Sequence, residues 1–207
     1  LEQYQDEEYS KLFLLSVNKV ISKETKISDS KKELPLSRKV ALTLFRMMRY
    51  KDEYEVARLH TSGEFAKNFL NKNKNVKLEY YLAPPLFSKK DAETGHLIKQ
   101  RFGPWVFQAF KILSSLKFLR NTKFDIFGYT TERKKERALV KKTLNTIEKI
   151  SDNLNENNYK KIMDFLDIPL SIKGYGHVKE KNMITAEDKW DKTLDRIFLE
   201  KNFKKVS

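Results

Sequence analysis

The segment from Pro104 to Leu116 constrains the fold more than any other part of the chain. Proline at the first turn of a helix loses no backbone hydrogen bond, so Pro104 marks a helix start. The apolar residues that follow occupy most sides of the predicted helix: Trp105, Val106, Ala109, Phe110, Leu113 and Leu116. A helix that is apolar all round belongs in the interior of a protein. We therefore predict that this helix is central and buried.

Apolar residues at three- and four-residue spacing predict further helices before this segment. A first helix covers residues 4–22, and Pro35 opens a second, with a possible continuation to Arg58. Thr61 and Glu64 have the spacing of a capping box, in which each side chain satisfies a free backbone N–H, and this pair predicts the start of a short third helix.

The C-terminal part of the chain has a helical pattern as well. Thr130 is placed to cap a long helix that ends near Asn153, and residues 155–166 predict a shorter one. A last helix over residues 179–203 has Thr185 as a candidate cap. Its apolar face consists of Trp190, Leu194, Ile197 and Phe198.

One short strand interrupts this helical pattern. Residues 77–83 (KLEYYLA) are the best strand candidate because two prolines end the run, but no partner strand is evident, and the connection 83–103 is predicted to be irregular. The predicted fold is mainly α: one helical domain over residues 1–207, with about six to eight helices and at most a short strand or hairpin near 76–83.

The formal net charge of +14 points to an anionic partner or to a lysine-rich solvated surface. The lysines outnumber the arginines and are spread along the whole chain. Base readout depends on the planar fork of arginine, so nucleic acid is the less favoured partner. A surface facing an acidic domain or an acidic electron carrier is favoured.

The absence of cysteine excludes disulfides, thiolate-bound zinc and iron–sulfur ligation within this chain. No apolar run reaches the roughly 18 residues of a membrane span, because Gln108, Lys111 and Lys117 interrupt the longest one. We therefore expect no membrane partner and a cytoplasmic location. The start at Leu1 leads us to expect a piece of a longer polypeptide.

Two carboxylates share a face of the segment YKDEYEVAR, since Asp52 and Glu55 are three residues apart, while Tyr54 and Arg58 share another face. Paired carboxylates could hold a divalent cation or act in acid–base chemistry. A third oxygen ligand is missing nearby. Ion pairs that lock the helix to neighbouring segments are therefore the favoured interpretation.

The segment FDIFGYTTERKKER joins a turn at Asp125 and Gly128 to a helix start at Thr130 or Thr131. Free N–H groups at a helix start bind anions, and Arg133 and Arg137, one turn apart, could clamp a phosphate of CoA or a carboxylate of a neighbouring acidic domain. The favoured alternative is a capped helix whose arginines pair with acids of this chain.

Three weaker patterns remain. Arg101 could stack on Trp105 in a cation–π contact. The loop SIKGYGHVKE at 171–180 superficially suggests a phosphate-binding loop, but a turn packed on the last helix is favoured because the preceding strand is missing. The three histidines, at 60, 96 and 177, lack the spacing of metal ligands.

Five motifs stand in the order in which they occur in a known family: YKDEYEVARL at 50–59, LAPPL at 82–86, FGPW at 102–105, D-x-FGYT-x-ER at 125–133 and K-G-[FY]-G-x-V-K-E at 173–180. With them the chain resembles, over nearly its whole length, the C-terminal domain of large fused indolepyruvate ferredoxin oxidoreductases. It departs from the family pattern at Ile126, where proline is usual, and in its high lysine content.

The resemblance implies a parent polypeptide that uses thiamine diphosphate, magnesium and iron–sulfur clusters. That enzyme converts a 2-oxo acid, CoA and oxidised ferredoxin to acyl-CoA, CO₂ and reduced ferredoxin. The domain resembled here lies after the catalytic parts, so the resemblance implies no catalytic, cofactor-binding or metal-binding residue in this chain. Whether the chain alone is an enzyme stays open, although the absence of such residues argues against it.

The first functional hypothesis is an accessory domain that docks on the catalytic domains of the same polypeptide. Ferredoxin and CoA would then be partners only through those catalytic domains. A second copy of the chain, in a homodimer, is a further candidate partner. The candidate docking or anion-binding residues are Tyr50, Asp52, Glu55, Arg58, Arg101, Trp105, Asp125, Tyr129, Arg133, Arg137 and Lys179. The alternative hypothesis is an independent basic helical module that binds nucleic acid or another polyanion, for which clustered lysines and salt-dependent binding are expected.

Overall fold

The computed structural model describes residues 1–27, 33–63, 68–69, 71–72, 77–83, 98–174 and 176–203. Within these residues the fold is mainly helical, as predicted, with one two-stranded sheet. The elements are α1 (Glu7–Ile27), α2 (Pro35–Met48), α3 (Glu53–Thr61), β1 (Tyr80–Leu82), β2 (Gln100–Phe102), α4 (Val106–Ser115), 3-10 turns at Leu116–Leu119 and Phe127–Tyr129, α5 (Thr131–Asn153), α6 (Glu156–Phe165), α7 (Asp167–Leu170) and α8 (Gly176–Phe203).

The chain divides into two compact units. The large unit comprises Leu1–Tyr50 and Gly128–Ser207, and the small unit comprises Lys51–Phe127. None of the helices in the described residues combines the length and the apolar character that crossing a membrane requires.

The core of the large unit is built around two fully buried aromatic side chains. Trp190 of α8 and Phe165 of α6 meet edge to face, with ring centroids 5.7 Å apart. The indole Nε1 of Trp190 donates to Thr146 Oγ1 of α5 at 3.1 Å, so its polar atom is satisfied inside the core. Leu194 and Ile197 are buried on the same face of α8, which confirms the predicted apolar face.

Several helix starts follow local sequence chemistry and confirm the predictions. Pro35 is the first residue of α2, and Thr130 caps α5 by accepting a hydrogen bond from Arg133 N. Asn155 forms a full capping box at the start of α6. Each cap satisfies backbone N–H groups that have no partner within the helix.

Two predicted caps are wrong because the hydroxyl bonds backward inside a helix. Thr61 lies in the last turn of α3 and donates to Ala57 O at 2.8 Å, while Glu64 lies outside the described residues. Thr185 lies within α8 and donates to Lys181 O at 3.1 Å. Such a bond to the carbonyl four residues earlier is the usual alternative for a threonine within a helix.

The predicted continuation of the second helix to Arg58 is also wrong. Helix α2 ends at Met48, and a new helix, α3, begins at Glu53. The break has a chemical reason: Asp52 is extended and its carboxylate accepts a hydrogen bond from Glu55 N at 2.8 Å. A residue that caps a new helix cannot continue the previous one.

The small unit packs α3 against α4, with the β1–β2 sheet in the same core. The strands are antiparallel, with Tyr80 opposite Phe102. The predicted strand near 77–83 is thus confirmed, while its partner β2 lies in the connection that was predicted to be irregular. The core residues are Ala57, Tyr80, Val106 and Phe110.

Candidate functional site

The small unit contains a buried ion pair between the cap of α3 and the segment after α4. The Arg120 guanidinium donates to both carboxylate oxygens of Asp52, at 2.5 and 2.9 Å. Both side chains are almost fully buried. The bidentate geometry matches the planar fork of arginine, and the pair holds the start of α3 to a residue 68 positions further along the chain.

Tyr54 lies beside this pair and adds a second buried carboxylate to the network. Its hydroxyl donates to Asp125 Oδ1 at 3.2 Å, its ring meets Phe127 edge to face at 5.4 Å, and the Arg120 guanidinium carbon lies 5.4 Å from its centroid. Burial, and then the negative charge of Asp125, raise the pKa of Tyr54. The phenol therefore stays protonated and serves as a hydrogen-bond donor.

Glu55 is neutralised one turn away on the same helix. Arg58 donates to its two carboxylate oxygens at 2.7 and 2.9 Å, and these hydrogen bonds to Glu55 raise the pKa of Arg58. Asp52 and Glu55 thus each have an arginine partner, which confirms the interpretation of this motif as ion pairs. Among the residues that the structure describes, no group of three His, Asp or Glu side chains is placed to hold a metal ion.

The large unit contains a corresponding cluster at the start of α5. The carboxylate of Glu136 pairs with both Arg133 and Lys179, and the Arg133 guanidinium lies 5.9 Å from the ring centroid of Tyr50. Arg137 donates to Gly128 O. The two arginines are thus engaged by groups of this chain, as in the favoured reading of a capped helix.

The loop at 173–180 leads into the last helix, as predicted. Gly174 has a φ of 100°, a backbone conformation that residues other than glycine rarely adopt, and Gly176 begins α8. Asn182 Nδ2 donates to Lys173 O at 2.8 Å and ties the turn to α8. Tyr175 and the side chain of His177 lie outside the described residues.

Five of the eleven predicted docking residues are buried: Tyr50, Asp52, Glu55, Asp125 and Arg133. These five side chains hold elements of the chain together and offer little surface to a partner. Three more are half-buried: Arg58, Arg137 and Lys179. Three are exposed: Arg101, Trp105 and Tyr129.

Helix α4 is not central and buried, contrary to the prediction. One face is in the core of the small unit through Val106 and Phe110. Trp105, just before the helix, and Ile112 are 63% and 65% exposed, and Ala109 between them is exposed too. These three residues recur at spacings of four and three, so they share a second face of the helix. We call them the outer face of α4.

The predicted stacking of Arg101 on Trp105 is replaced by two other contacts. Arg101 pairs with Glu79 at 2.5 Å, and the Trp105 ring meets Phe102 edge to face with centroids 6.1 Å apart. Trp105 is therefore anchored to β2 on one edge while most of its surface stays exposed. An aromatic side chain held in place in this way loses little conformational entropy on binding.

Further large apolar side chains are exposed after α4. Phe118, Phe124 and Ile126 are each more than half exposed. Single exposed apolar residues are normal on a protein surface. Their number within one short stretch, together with the outer face of α4, makes residues 98–126 the candidate interaction segment of the chain. Sequence reasoning selected Trp105 here but missed Ile112, because it assigned the whole helix to the interior. It also missed Phe118 and Phe124, which follow the helix.

Comparison with curated proteins and with solved structures finds no match. A family model described as "Family of unknown function (DUF6537)" matches residues 1–192. Since the match covers nearly the whole chain, the chain belongs to this family.

Proposed function

We propose that the chain is an accessory domain that docks on the catalytic domains of a 2-oxoacid ferredoxin oxidoreductase of the indolepyruvate type. The support for the parent enzyme is the resemblance carried by the five ordered motifs. The parent reaction takes a 2-oxo acid, CoA and oxidised ferredoxin to acyl-CoA, CO₂ and reduced ferredoxin. In this proposal the domain works in the cytoplasm and contributes binding surface, while the chemistry belongs to the rest of the polypeptide.

The observation that supports docking is that α4 has two apolar faces and only one is in the core. Val106 and Phe110 fill the inner face, whereas Trp105 and Ile112 of the outer face are about two-thirds exposed. Burying an isoleucine contributes about 1.5–3 kcal/mol, and a tryptophan has a larger surface. Covering the outer face therefore offers on the order of 3–5 kcal/mol to an association, before the entropic cost of binding.

The cofactors of the parent enzyme are assigned to its other domains. This chain has no cysteine, so its residues do not fit an iron–sulfur cluster, which needs thiolate ligands. Two of its buried carboxylates are paired with arginines, Asp52 with Arg120 and Glu55 with Arg58. Thiamine diphosphate and its magnesium ion would have to be bound elsewhere in the polypeptide, and ferredoxin and CoA would be reached only through it.

The polyanion-binding alternative depends on a surface of clustered, uncompensated lysines. Along α5 the lysines at 135, 142 and 149 each face an acid of α8, namely Glu180, Asp191 and Asp195. These pairs cancel much of the positive charge of the longest lysine-rich helices. The structure thus gives the docking hypothesis the stronger support.

The test uses the parent polypeptide in its complete form, assayed for ferredoxin reduction with indolepyruvate and CoA. We expect Trp105→Ser combined with Ile112→Ser to lower turnover, because the domain loses its apolar contact. The matched control is Ile184→Ser with Leu199→Ser, two exposed apolar residues on α8. A purified parent without this activity would refute the oxidoreductase assignment. Full activity in the α4 variant, equal to that of the control, would refute docking through α4.

A further inference from the structure

The segment around the outer face of α4 has an unusual charge distribution. Between residues 98 and 124 the sequence contains six cationic residues and no aspartate or glutamate: Lys99, Arg101, Lys111, Lys117, Arg120 and Lys123. In the chain as a whole, acids and bases stand at 28 to 42. The interaction segment 98–126 contains one acid, Asp125, and its side chain is buried.

Arg120 and Arg101 are paired with acids of the small unit. Arg120 is buried against Asp52, and Arg101 pairs with Glu79. Lys99 and Lys111 are exposed. The Lys111 ammonium lies 4.8 Å from the ring centroid of Phe107 on the same helix, so its charge is held beside the outer face.

We propose that the protein surface that covers the outer face of α4 has an apolar centre bordered by aspartate and glutamate side chains. The proposal rests on the docking function proposed above and names the chemistry of the partner. Stable interfaces have an apolar centre and a polar rim. Like charges brought together across the rim of an interface cost several kcal/mol, so the exposed Lys99 and Lys111 favour a partner that places acidic side chains opposite them.

Other classes of partner fit the segment less well. The exposed side chains include aliphatic Ile112 and Ile126, which cannot stack on nucleic-acid bases as aromatic rings do. A helix that binds a membrane surface has a long apolar face beside a strongly basic one. The outer face of α4 has only three positions, and the opposite face is already packed in a core. A protein surface is the partner that these observations favour.

Hydroxyl-radical footprinting of the complete parent polypeptide tests the proposal, because the oxidation rate of Trp105 measures the exposure of its side chain. At low salt Trp105 should be oxidised several times more slowly than an indole that is two-thirds exposed to solvent. Charge reversal by Lys99→Glu with Lys111→Glu should raise the rate about three- to tenfold, as should molar salt. The matched control is Lys189→Glu with Lys192→Glu, two exposed lysines on α8, which should leave the rate unchanged.

The outcomes separate the two proposals. Rapid oxidation of Trp105 in the unmodified parent would overturn docking itself, and the acidic partner with it. Slow oxidation that neither charge reversal nor salt alters would overturn the acidic partner alone. Protection that disappears after nuclease treatment or detergent extraction would identify nucleic acid or lipid as the occupant, and would equally overturn it.

Discussion

Glu24 links three helices of the large unit through one buried carboxylate. It lies on α1 and is fully buried. Its carboxylate accepts hydrogen bonds from Leu36 N at 2.9 Å, Ser37 N at 2.7 Å, Ser37 Oγ at 2.5 Å and Tyr159 Oη at 2.6 Å. One side chain of α1 thus caps the start of α2 and anchors a tyrosine of α6. We predict that Glu24→Ala is strongly destabilising.

The magnitude follows from the donors that lose their acceptor. A hydrogen bond to a charged group contributes about 1.5–3 kcal/mol, so four independent bonds would sum to about 6–12 kcal/mol. That sum is an upper bound, because the variant no longer pays the several kcal/mol needed to bury a carboxylate and water can enter the space. We expect a loss of about 3–5 kcal/mol in the free energy of unfolding, or roughly 6–20 °C in Tm for a chain of this size.

Glu24→Gln provides a graded comparison. The amide keeps the volume and one acceptor oxygen, but its NH₂ group faces donors, so we expect a loss of about 2 kcal/mol. The matched control is Glu148→Ala, which removes an exposed ion pair with Lys19 (3.2 Å) and should cost no more than about 0.5 kcal/mol.

The assay is urea unfolding followed by the fluorescence of Trp190, which is buried in the large unit. Because the chain has only two tryptophans, Trp105→Phe in all variants leaves Trp190 as the single reporter of that unit. We expect Glu148→Ala to be the most stable variant, Glu24→Gln to be intermediate and Glu24→Ala to be the least stable. If the free energy of unfolding of Glu24→Ala lies within about 1 kcal/mol of the Glu148→Ala value, the reasoning is refuted, because removing the acceptor of four donors should cost more than that.

Three further predictions concern other buried contacts. Arg120→Ala leaves Asp52 buried without its partner and should cost about 3–5 kcal/mol in chemical unfolding, whereas a loss below about 1 kcal/mol would contradict the pairing. Burial, and then the hydrogen bond to the carboxylate, raise the pKa of Tyr159 from 10.0 to about 12. Because the folded chain holds this proton more tightly, the stability that it contributes is complete below pH 10 and is lost as the pH rises through about 12. In a pH series of melting curves, Tyr159→Phe should therefore lack this part of the alkaline decline in stability. A decline identical to that of the unmodified chain would argue against the assignment. Gly174→Ala should lower the free energy of unfolding by about 1–3 kcal/mol, and Tm with it, because the φ is 100° and the new Cβ would lie 2.9 Å from Val178 Cγ1. An unchanged Tm would contradict this prediction.

Local chemistry made the helix starts predictable. Pro35, Thr130 and Asn155 act on backbone groups within three residues, so the sequence contains the whole interaction. The apolar spacing of α8 was equally informative, since its periodic face is the one buried in the core. These features account for the correct prediction of a mainly helical fold.

Contacts between distant residues were not predictable. Glu24 and Tyr159 are 135 positions apart, and no spacing rule connects a glutamate in the last turn of one helix to the start of another. The β1–β2 pairing joins two three-residue strands across a long connection, which is too short a pattern to stand out. The outer face of α4 was misassigned for a different reason: apolar periodicity indicates which residues avoid water, but not whether this chain or a partner covers them.

The motifs that support the family resemblance describe the fold more than a site. Asp52 and Glu55 of YKDEYEVARL and Asp125 of D-x-FGYT-x-ER are buried and hydrogen-bonded within the chain. Charged residues are rarely fully buried unless paired, so a sequence that places them there must also supply the partner. The buried acids of these two motifs are thus explained by ion pairs and hydrogen bonds within the chain.

Around its apolar core the small unit has buried carboxylates and exposed apolar side chains. The carboxylates of Asp52, Glu55 and Asp125 are buried. The side chains of Trp105, Ile112 and Phe124 are exposed. Exposed apolar surface is a cost to a chain in isolation and a gain once a partner covers it. The buried ion pairs fix α3 and the segment after α4, and this rigid support holds α4 with its outer face toward solvent. The charged motifs and the apolar face therefore belong to one arrangement, in which the first positions the second for binding.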